Sequence, residues 1–156
     1  DIYVYDPFLD GDFIKKKNCI PIEKEDGLSI ADFVSIHLPL NKDTKNFISQ
    51  TELKLMKKNT VLVNTSRGGI VNENDLYQAL KSKKIRGAGM DVFISEPPES
   101  NHPFFQLDNI LLTPKNAALT LECRRRMSLE ASENIFYFLK NMPELNEDNL
   151  VNKKFL

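Results

Sequence analysis

The sequence contains no tryptophan, only two cysteines and only two histidines among its 156 residues. Cys19 and Cys123 stand far apart, so a disulfide framework is not expected, and a reducing compartment such as the cytoplasm fits this usage better. His37 and His102 show no spacing typical of zinc ligands, and we expect no metal. No apolar run approaches the roughly 20 residues that a membrane-spanning helix needs. Disulfide-rich, zinc-binding and membrane-spanning classes are therefore excluded.

An excess of charge of either sign is also missing. The chain has 21 Lys and Arg residues against 22 Asp and Glu residues, which leaves a net charge of -1. This balance gives no electrostatic reason to expect nucleic acid or an anionic membrane as a partner. With 41% hydrophobic residues, the chain can bury a sizeable core and is expected to form an ordinary globular domain.

Six apolar segments predict short strands, at residues 1–6, 18–22, 33–40, 60–65, 87–93 and 110–113. Their apolar residues are continuous rather than alternating, as in a parallel sheet with both faces covered. Helix signals lie between them: a capping box at Ser49–Glu52 and an N-cap at Asn72, whose helix should end just before Gly87. Residues 120–140 contain neither Pro nor Gly and predict a long C-terminal helix. The fold class is therefore α/β, with a doubly wound parallel sheet.

Ligands of such folds bind at the carboxyl ends of the strands. Asp6 ends the first predicted strand, where an acid would hydrogen-bond the adenosine ribose of NAD, although Asp-Pro is also a common turn opener. Arg67 follows a buried strand and precedes Gly68 and Gly69, and its guanidinium matches a carboxylate bidentately. A structural ion pair with a local acid is the alternative for this arginine.

The glycine turn that binds a dinucleotide diphosphate is absent from these residues. In such units the Gly-x-Gly-x-x-Gly pattern precedes the ribose acid by about 20 residues, and only five residues precede Asp6. Gly87-Ala88-Gly89 leads into a strand and does not open a helix. We therefore expect the sequence to begin inside a structural element, with the first strand, turn and helix of the fold lacking.

Three ordered stretches carry a family resemblance: SIHLPLNKDTKNFISQTELKLMKKNTVLVNTSRGGIVNENDLYQAL, GAGMDVFISEPP and HPFFQLDNILLTPKNAALT. They resemble the NAD-binding domain of the D-isomer-specific 2-hydroxyacid dehydrogenases. The resemblance implies a Rossmann-like domain, NAD as cofactor, a small 2-hydroxy or 2-keto acid as substrate, and a homodimer. It also implies a partial NAD-binding domain at 1–118, an interdomain helix at 119–141, and a tail at 142–156 that returns toward a substrate domain. Residues 1–156 without a substrate domain are expected to be inactive.

The same resemblance assigns roles to individual residues. Arg67 corresponds to the arginine that grips the substrate carboxylate, and Glu96 to the acid that orients the catalytic group. For His37, a hydrogen-bonded core position is the alternative to a role in shaping the cofactor loop. The implied cofactor contacts are Asp6, His37, Leu38, Pro39, Thr44, Thr65, Ser66, Arg67 and Asp91.

The sequence departs from the family where the catalytic histidine is expected, because Lys115 follows Thr113-Pro114. Lysine ordinarily titrates near about 10.4, so it can donate a proton at neutral pH but makes a poor base. Two hypotheses follow. Either Lys115 acts as proton donor, with Glu96 as its partner, in an NAD-dependent oxidoreductase, or the protein is a non-catalytic dinucleotide-sensing or oligomerisation module.

Overall fold

Strands and helices alternate along residues 1–115, in a computed structural model that describes residues 1–8 and 11–151. The chain divides into two units, Asp1–Lys115 and Asn116–Leu156, and each is described by itself below. The strands of the first unit are β1 (Tyr3–Val4), β2 (Ile20–Pro21), β3 (Phe33–Ile36), β4 (Val61–Asn64), β5 (Gly87–Met90) and β6 (Ile110–Leu112). Its helices are α1 (Gly11–Lys16), α2 (Lys24–Ile30), α3 (Gln50–Leu55) and α4 (Glu73–Lys81), with a 3₁₀ turn at Pro103–Gln106.

All strand pairs are parallel, and they form two sheets. One sheet has the order β3-β4-β5-β6, and the other pairs β1 with β2. A Rossmann sheet has the order 3-2-1-4-5-6. In this chain the β1-β2 pair and the four-stranded sheet are separate. The predicted α/β fold with a parallel sheet is confirmed.

The core of the first unit lies between the four-stranded sheet and helices α2 to α4. Leu62 of β4 and Leu76 of α4 are completely buried, and burying a side chain of this size contributes roughly 1.5 to 3 kcal/mol. The residues that share this cluster are Leu28, Ile36, Ile48, Leu53, Met56, Leu62, Ile70, Val71, Leu76, Ala79, Leu80, Ile85, Ala88, Met90, Phe93 and Phe104.

The helix start signals are formed, whereas one helix end differs from its prediction. The Glu52 carboxylate accepts from the Ser49 amide at 3.0 Å, and the Asn72 side chain accepts from the Asp75 amide at 3.1 Å. Helix α4 ends at Lys81 rather than just before Gly87, because Lys83 adopts φ 56°. The Lys84 amide then donates to the Ala79 carbonyl, a turn that terminates helices.

The second unit is built on helix α5, which spans Leu121–Leu139 and has Thr120 as its N-cap. Its 19 residues correspond to about 28 Å of length, close to the prediction of 120–140. A short 3₁₀ turn follows at Glu147–Asn149, and residues 152–156 of the expected tail lie outside the described residues. Within residues 1–8 and 11–151, no helix combines the length and apolarity needed to cross a membrane.

Candidate active site

Three loops meet at the carboxyl edge of the four-stranded sheet, because parallel strands end on the same side. They follow β4, β5 and β6, and they carry Arg67, Glu96 and Lys115 respectively. Backbone hydrogen bonds join the strand ends: the Asp91 amide donates to the Asn64 carbonyl at 3.0 Å, and the Thr113 amide to the Met90 carbonyl at 3.1 Å. The three predicted catalytic residues therefore stand at one edge of a rigid sheet.

The turn after β4 is held by Asn64, whose side chain is 0% exposed. Its Oδ1 accepts from the Ser66 amide at 3.0 Å and from the Ser66 hydroxyl at 2.8 Å, while its Nδ2 donates to the Arg67 carbonyl at 3.0 Å. Asn64 thus fixes the backbone on which Arg67 stands. The sequence analysis missed this role, although an amide at the end of an otherwise apolar strand was the available signal.

Gly68 is the point at which the Arg67 loop packs against the loop after β5. A Cβ atom at this position would lie 1.9 Å from the Phe93 carbonyl oxygen, so no other residue fits without moving the backbone. Gly69 has φ 81°, in the left-handed region that favours glycine. The glycine pair therefore allows the two loops to pack directly on each other.

The guanidinium of Arg67 lies on the surface beside its own turn. One of its nitrogens donates to the Ser66 carbonyl at 2.8 Å, and a guanidinium carries five N–H donors in total. The Arg67 charge also helps to lower the pKa of Glu96, which places the two groups in one electrostatic neighbourhood. An exposed, partly anchored guanidinium is suited to a carboxylate ligand.

The Lys115 ammonium donates a hydrogen bond to Oε2 of Glu96. The other carboxylate oxygen accepts from the Phe93 amide at 3.2 Å. The hydrogen bond from Lys115 is the main reason why the pKa of Glu96 lies below its ordinary value, and the Phe93 amide and Arg67 act in the same direction. The expected pairing of Lys115 with Glu96 is therefore present in the folded chain.

Asp91 is the buried acid of this edge, at 5% exposure. Its Oδ1 accepts from the Thr113 hydroxyl at 2.5 Å, which ties the end of β5 to the end of β6. Beside it opens a cavity of about 390 Å³ with mostly apolar walls. Its lining consists of Asp91, Phe93, Glu96, Pro97, Pro98, Phe105, Leu112, Thr113, Pro114 and Lys115.

The predicted cofactor loop after β3 is a closed local structure. The Thr44 hydroxyl donates to the Pro39 carbonyl at 2.6 Å and accepts from the Asn41 amide at 2.9 Å. His37 is exposed and bonds Ser35 at 2.8 Å, so it is not the core residue that the alternative described. Leu38 packs partly buried against the core. The structure thus brings Pro39 and Thr44 together in one loop, and their contact with the cofactor stays a prediction.

Asp6 and Thr65 are both exposed. The Asp6 carboxylate accepts from the Phe8 amide at 2.8 Å, which is the local turn that an Asp-Pro pair favours. This contact leaves the ribose role of Asp6 as a prediction. Across the described ranges, no group of three His, Cys, Asp or Glu residues could hold a metal ion.

Comparison with known proteins decides the family. Residues 1–117 match the D-isomer specific 2-hydroxyacid dehydrogenases, NAD binding domain. The chain belongs to this family. It is 40% identical to a glyoxylate reductase of Korarchaeum cryptofilum, in an alignment that covers 98% of this chain and 45% of that protein. A D-3-phosphoglycerate dehydrogenase of Methanocaldococcus jannaschii is 35% identical, over 96% of this chain and 30% of that protein.

Solved structures show the same relationship. The D-lactate dehydrogenase from Aquifex aeolicus, complexed with NAD and lactic acid, aligns with a TM-score of 0.80 at 28% identity. The alignment covers 94% of this chain and 48% of that one. The chain therefore spans less than half the length of these relatives.

Proposed function

We propose that the protein is an NAD-dependent oxidoreductase that transfers hydride between NAD(H) and a small 2-hydroxy or 2-keto acid. The observation that carries this proposal is the Lys115 ammonium held on Glu96 at the sheet edge that also carries Arg67. A cation that can donate a proton and an arginine that can bind a carboxylate are the two groups that reduction of a 2-keto acid requires.

The residues at this edge fit the nicotinamide and ribose portions of a dinucleotide. Bound NADH would supply the hydride in reduction, and bound NAD⁺ would accept it in oxidation. The buried Asp91 carboxylate lines a largely apolar cavity, a setting in which an acid can accept hydrogen bonds from a carboxamide. Thr65 and Ser66 follow β4 and the loop from His37 to Thr44 follows β3, so both segments lie at the carboxyl ends of neighbouring strands. Asp6 would accept from the ribose hydroxyls.

Arg67 would bind the substrate carboxylate through two parallel N–H donors, and this would orient the keto carbon. The Lys115 Nζ would donate its proton to the keto oxygen as negative charge develops there. Glu96 keeps the ammonium at that place and compensates its charge. In the oxidative direction the same lysine would have to act as base, for which an ammonium is poorly suited at neutral pH.

Replacing Lys115 in the gene product at its natural length tests this role. Lys115→His should raise kcat for 2-hydroxy acid oxidation at least about tenfold, because imidazole titrates near neutral pH. Lys115→Ala should lower reductive kcat by roughly 10² to 10⁴, the usual cost of a lost acid. The measurement is kcat against pH in both directions with glyoxylate, hydroxypyruvate and pyruvate.

If neither substitution changes turnover, Lys115 takes no part in the chemistry and this mechanism is wrong. If the natural-length protein binds NAD but turns over none of these acids, the non-catalytic module remains. The exposed lysine in place of a histidine is the observation that keeps this second function open.

The assembly and compartment are part of the same proposal. A homodimer is supported by helix α5, whose described side chains include no buried residue and seven exposed large apolar ones, Leu121, Met127, Leu129, Ile135, Phe136, Phe138 and Leu139. A cytoplasmic location is supported by the two free cysteines. We retain 1–118, 119–141 and 142–156 as the functional division. No nucleic-acid or membrane partner is proposed.

A further inference from the structure

Glu73 and His102 form a second polar pair behind the catalytic loop. Glu73 is the first residue of α4, and its Oε1 accepts from the Ile94 amide at 2.7 Å. Its Oε2 lies 3.2 Å from Nε2 of His102. The side chains are 15% and 16% exposed respectively, so both are largely shielded from solvent. The pair therefore links a helix, a loop and a 3₁₀ turn that are distant in sequence.

The proton position on His102 follows from its two nitrogens. Nδ1 accepts from the Phe104 amide at 3.3 Å, so Nε2 must carry the hydrogen that it donates to Glu73. Aromatic rings confine the imidazole, with centroids 5.4 Å away for Phe93 and 4.8 Å away for Phe104. This environment holds His102 in one tautomer and one orientation.

The Glu73 carboxylate is more than a favourable charge at a helix N-terminus. A carboxylate in the first turn interacts well with the helix dipole wherever it points, but this one bonds a backbone amide 21 residues away. Ile94 is adjacent to Phe93, whose amide holds Glu96 and whose carbonyl packs on Gly68. The Glu73 carboxylate thus holds the segment at Phe93–Ile94, which packs on Gly68 and bonds Glu96.

We propose that Glu73 and His102 are positioning residues that hold the loop at Phe93–Ile94, so that Glu96 presents its carboxylate to the Lys115 ammonium. This inference rests on the proposed function only for its kinetic consequence. Neither Glu73 nor His102 lines the cavity, and neither is proposed to react with the substrate. Their effect on turnover would pass through Glu96, and their effect on Glu96 itself can be measured without any substrate.

The first measurement is a ¹³C NMR titration of the Glu96 carboxyl in the gene product at its natural length. In Glu73→Ala, the Glu96 midpoint should rise toward its ordinary value by about half a pH unit or more, a threefold change in proton affinity. The charges that face Glu96, Lys115 and Arg67, are unchanged in this variant. Glu99→Ala, an exposed acid three residues along the chain, is the matched control and should leave the midpoint unchanged.

The second measurement separates kcat from KM for the reduction. Glu73→Ala and His102→Ala should lower kcat about tenfold and leave KM within about twofold, because Arg67 still binds the carboxylate. Glu73→Gln should recover only part of kcat, since its amide oxygen can still accept from the Ile94 amide but its NH2 group cannot accept from Nε2 of His102. Thermal unfolding of every variant identifies those that fail to fold, and His102→Asn, which keeps an amide acceptor for Phe104, replaces His102→Ala in that case.

A folded Glu73→Ala protein with an unchanged Glu96 midpoint and unchanged kcat overturns the inference. A midpoint that moves in a protein without turnover supports the positioning role and removes only the proposed function. If the parent turns over normally and both Glu73→Ala and Glu73→Gln leave kcat and the Glu96 midpoint unchanged, the proposed function stands and the positioning role is overturned.

Discussion

Two lysine–glutamate pairs stand in different surroundings of the same unit. Lys24 of α2 bonds Glu52 of α3 at 3.0 Å, with side chains 21% and 12% exposed, and the Lys24 ammonium lies 5.0 Å from the Phe47 ring centroid. Lys115 and Glu96 are 55% and 32% exposed at the mouth of the cavity. The first pair is closed between two helices, whereas the second is open to a ligand.

The two glutamates also differ in the hydrogen bonds that lower their pKa values. Burial disfavours the Glu52 carboxylate, but hydrogen bonds from Ser49 and Lys24 outweigh this and lower its pKa to about 2. Glu96 receives one hydrogen bond from Lys115 and one from the Phe93 amide, and its pKa is lowered by them without a helix cap. The same two residue types therefore serve stability at one place and leave a proton donor accessible at the other.

Neutralising each glutamate should separate these roles, and it should give the largest difference between the two pairs. Glu96→Gln should lower reductive kcat by roughly tenfold to a hundredfold, somewhat less than loss of the acid itself, and should barely change stability. Glu52→Gln should leave kcat within about twofold but reduce the free energy of unfolding by about 1.5 to 3 kcal/mol, the value of hydrogen bonds to a charged group. Urea unfolding and steady-state turnover of both variants provide the comparison.

An equal loss of turnover in both variants would show that Glu52 also reaches the site. An equal loss of stability in both would show that the exposed pair is as structural as the closed one. Either result would break the distinction between the two pairs.

Acid should reveal the closed pair through the pH dependence of stability. The pKa of Glu52 is about 2 in the folded chain, below the ordinary 4.5, so its contribution is fully present above about pH 4.5. That contribution is lost as pH falls from about 4.5 toward about 2, because the unfolded chain binds the proton first. The difference in unfolding free energy between the parent and Glu52→Gln should therefore shrink over that range.

The difference in unfolding free energy between the parent and Glu96→Gln should shrink less over the same pH range. The pKa of Glu96 is also lowered, but its carboxylate is more exposed than that of Glu52. A parent–Glu52→Gln difference that stays constant down to pH 2.5 would contradict the assigned environment of Glu52. Unfolding by urea at several pH values is the appropriate measurement.

Local signals in the sequence predicted much of this contrast. The Ser49–Glu52 capping box was evident from its spacing, and the Lys115–Glu96 pair followed from the family resemblance together with strand ends that meet at one edge. Helix α2 was not predicted, because Gly27 lowers helix propensity in its centre and the helix has only seven residues. It is stabilised by tertiary contacts, including burial of Leu28 and the bond from Lys24 to Glu52.

Contacts between distant loops were beyond the sequence. Glu73 and His102 meet across 29 positions, and no spacing in the sequence indicates this contact. The close approach of Gly68 to the Phe93 backbone is likewise a contact between two loops that are distant in the sequence. These pairings depend on the three-dimensional positions of loops, for which residue spacing carries no periodic signal.

Added salt should change the coupling free energies of the two pairs differently, and this is the smallest of the expected effects. A double-mutant cycle on Lys115 and Glu96 should give a coupling free energy of about 0.2 to 1 kcal/mol at low salt, the usual value for exposed ion pairs. Most of it should vanish by about 1 M NaCl, where the screening length falls to roughly 3 Å. The Lys24–Glu52 cycle should keep most of its coupling, because ions penetrate poorly between packed helices. Equal salt sensitivity of the two couplings at pH 7 would mean that the closed pair is as solvated as the open one, and the contrast between them would then lie only in their positions relative to the cavity.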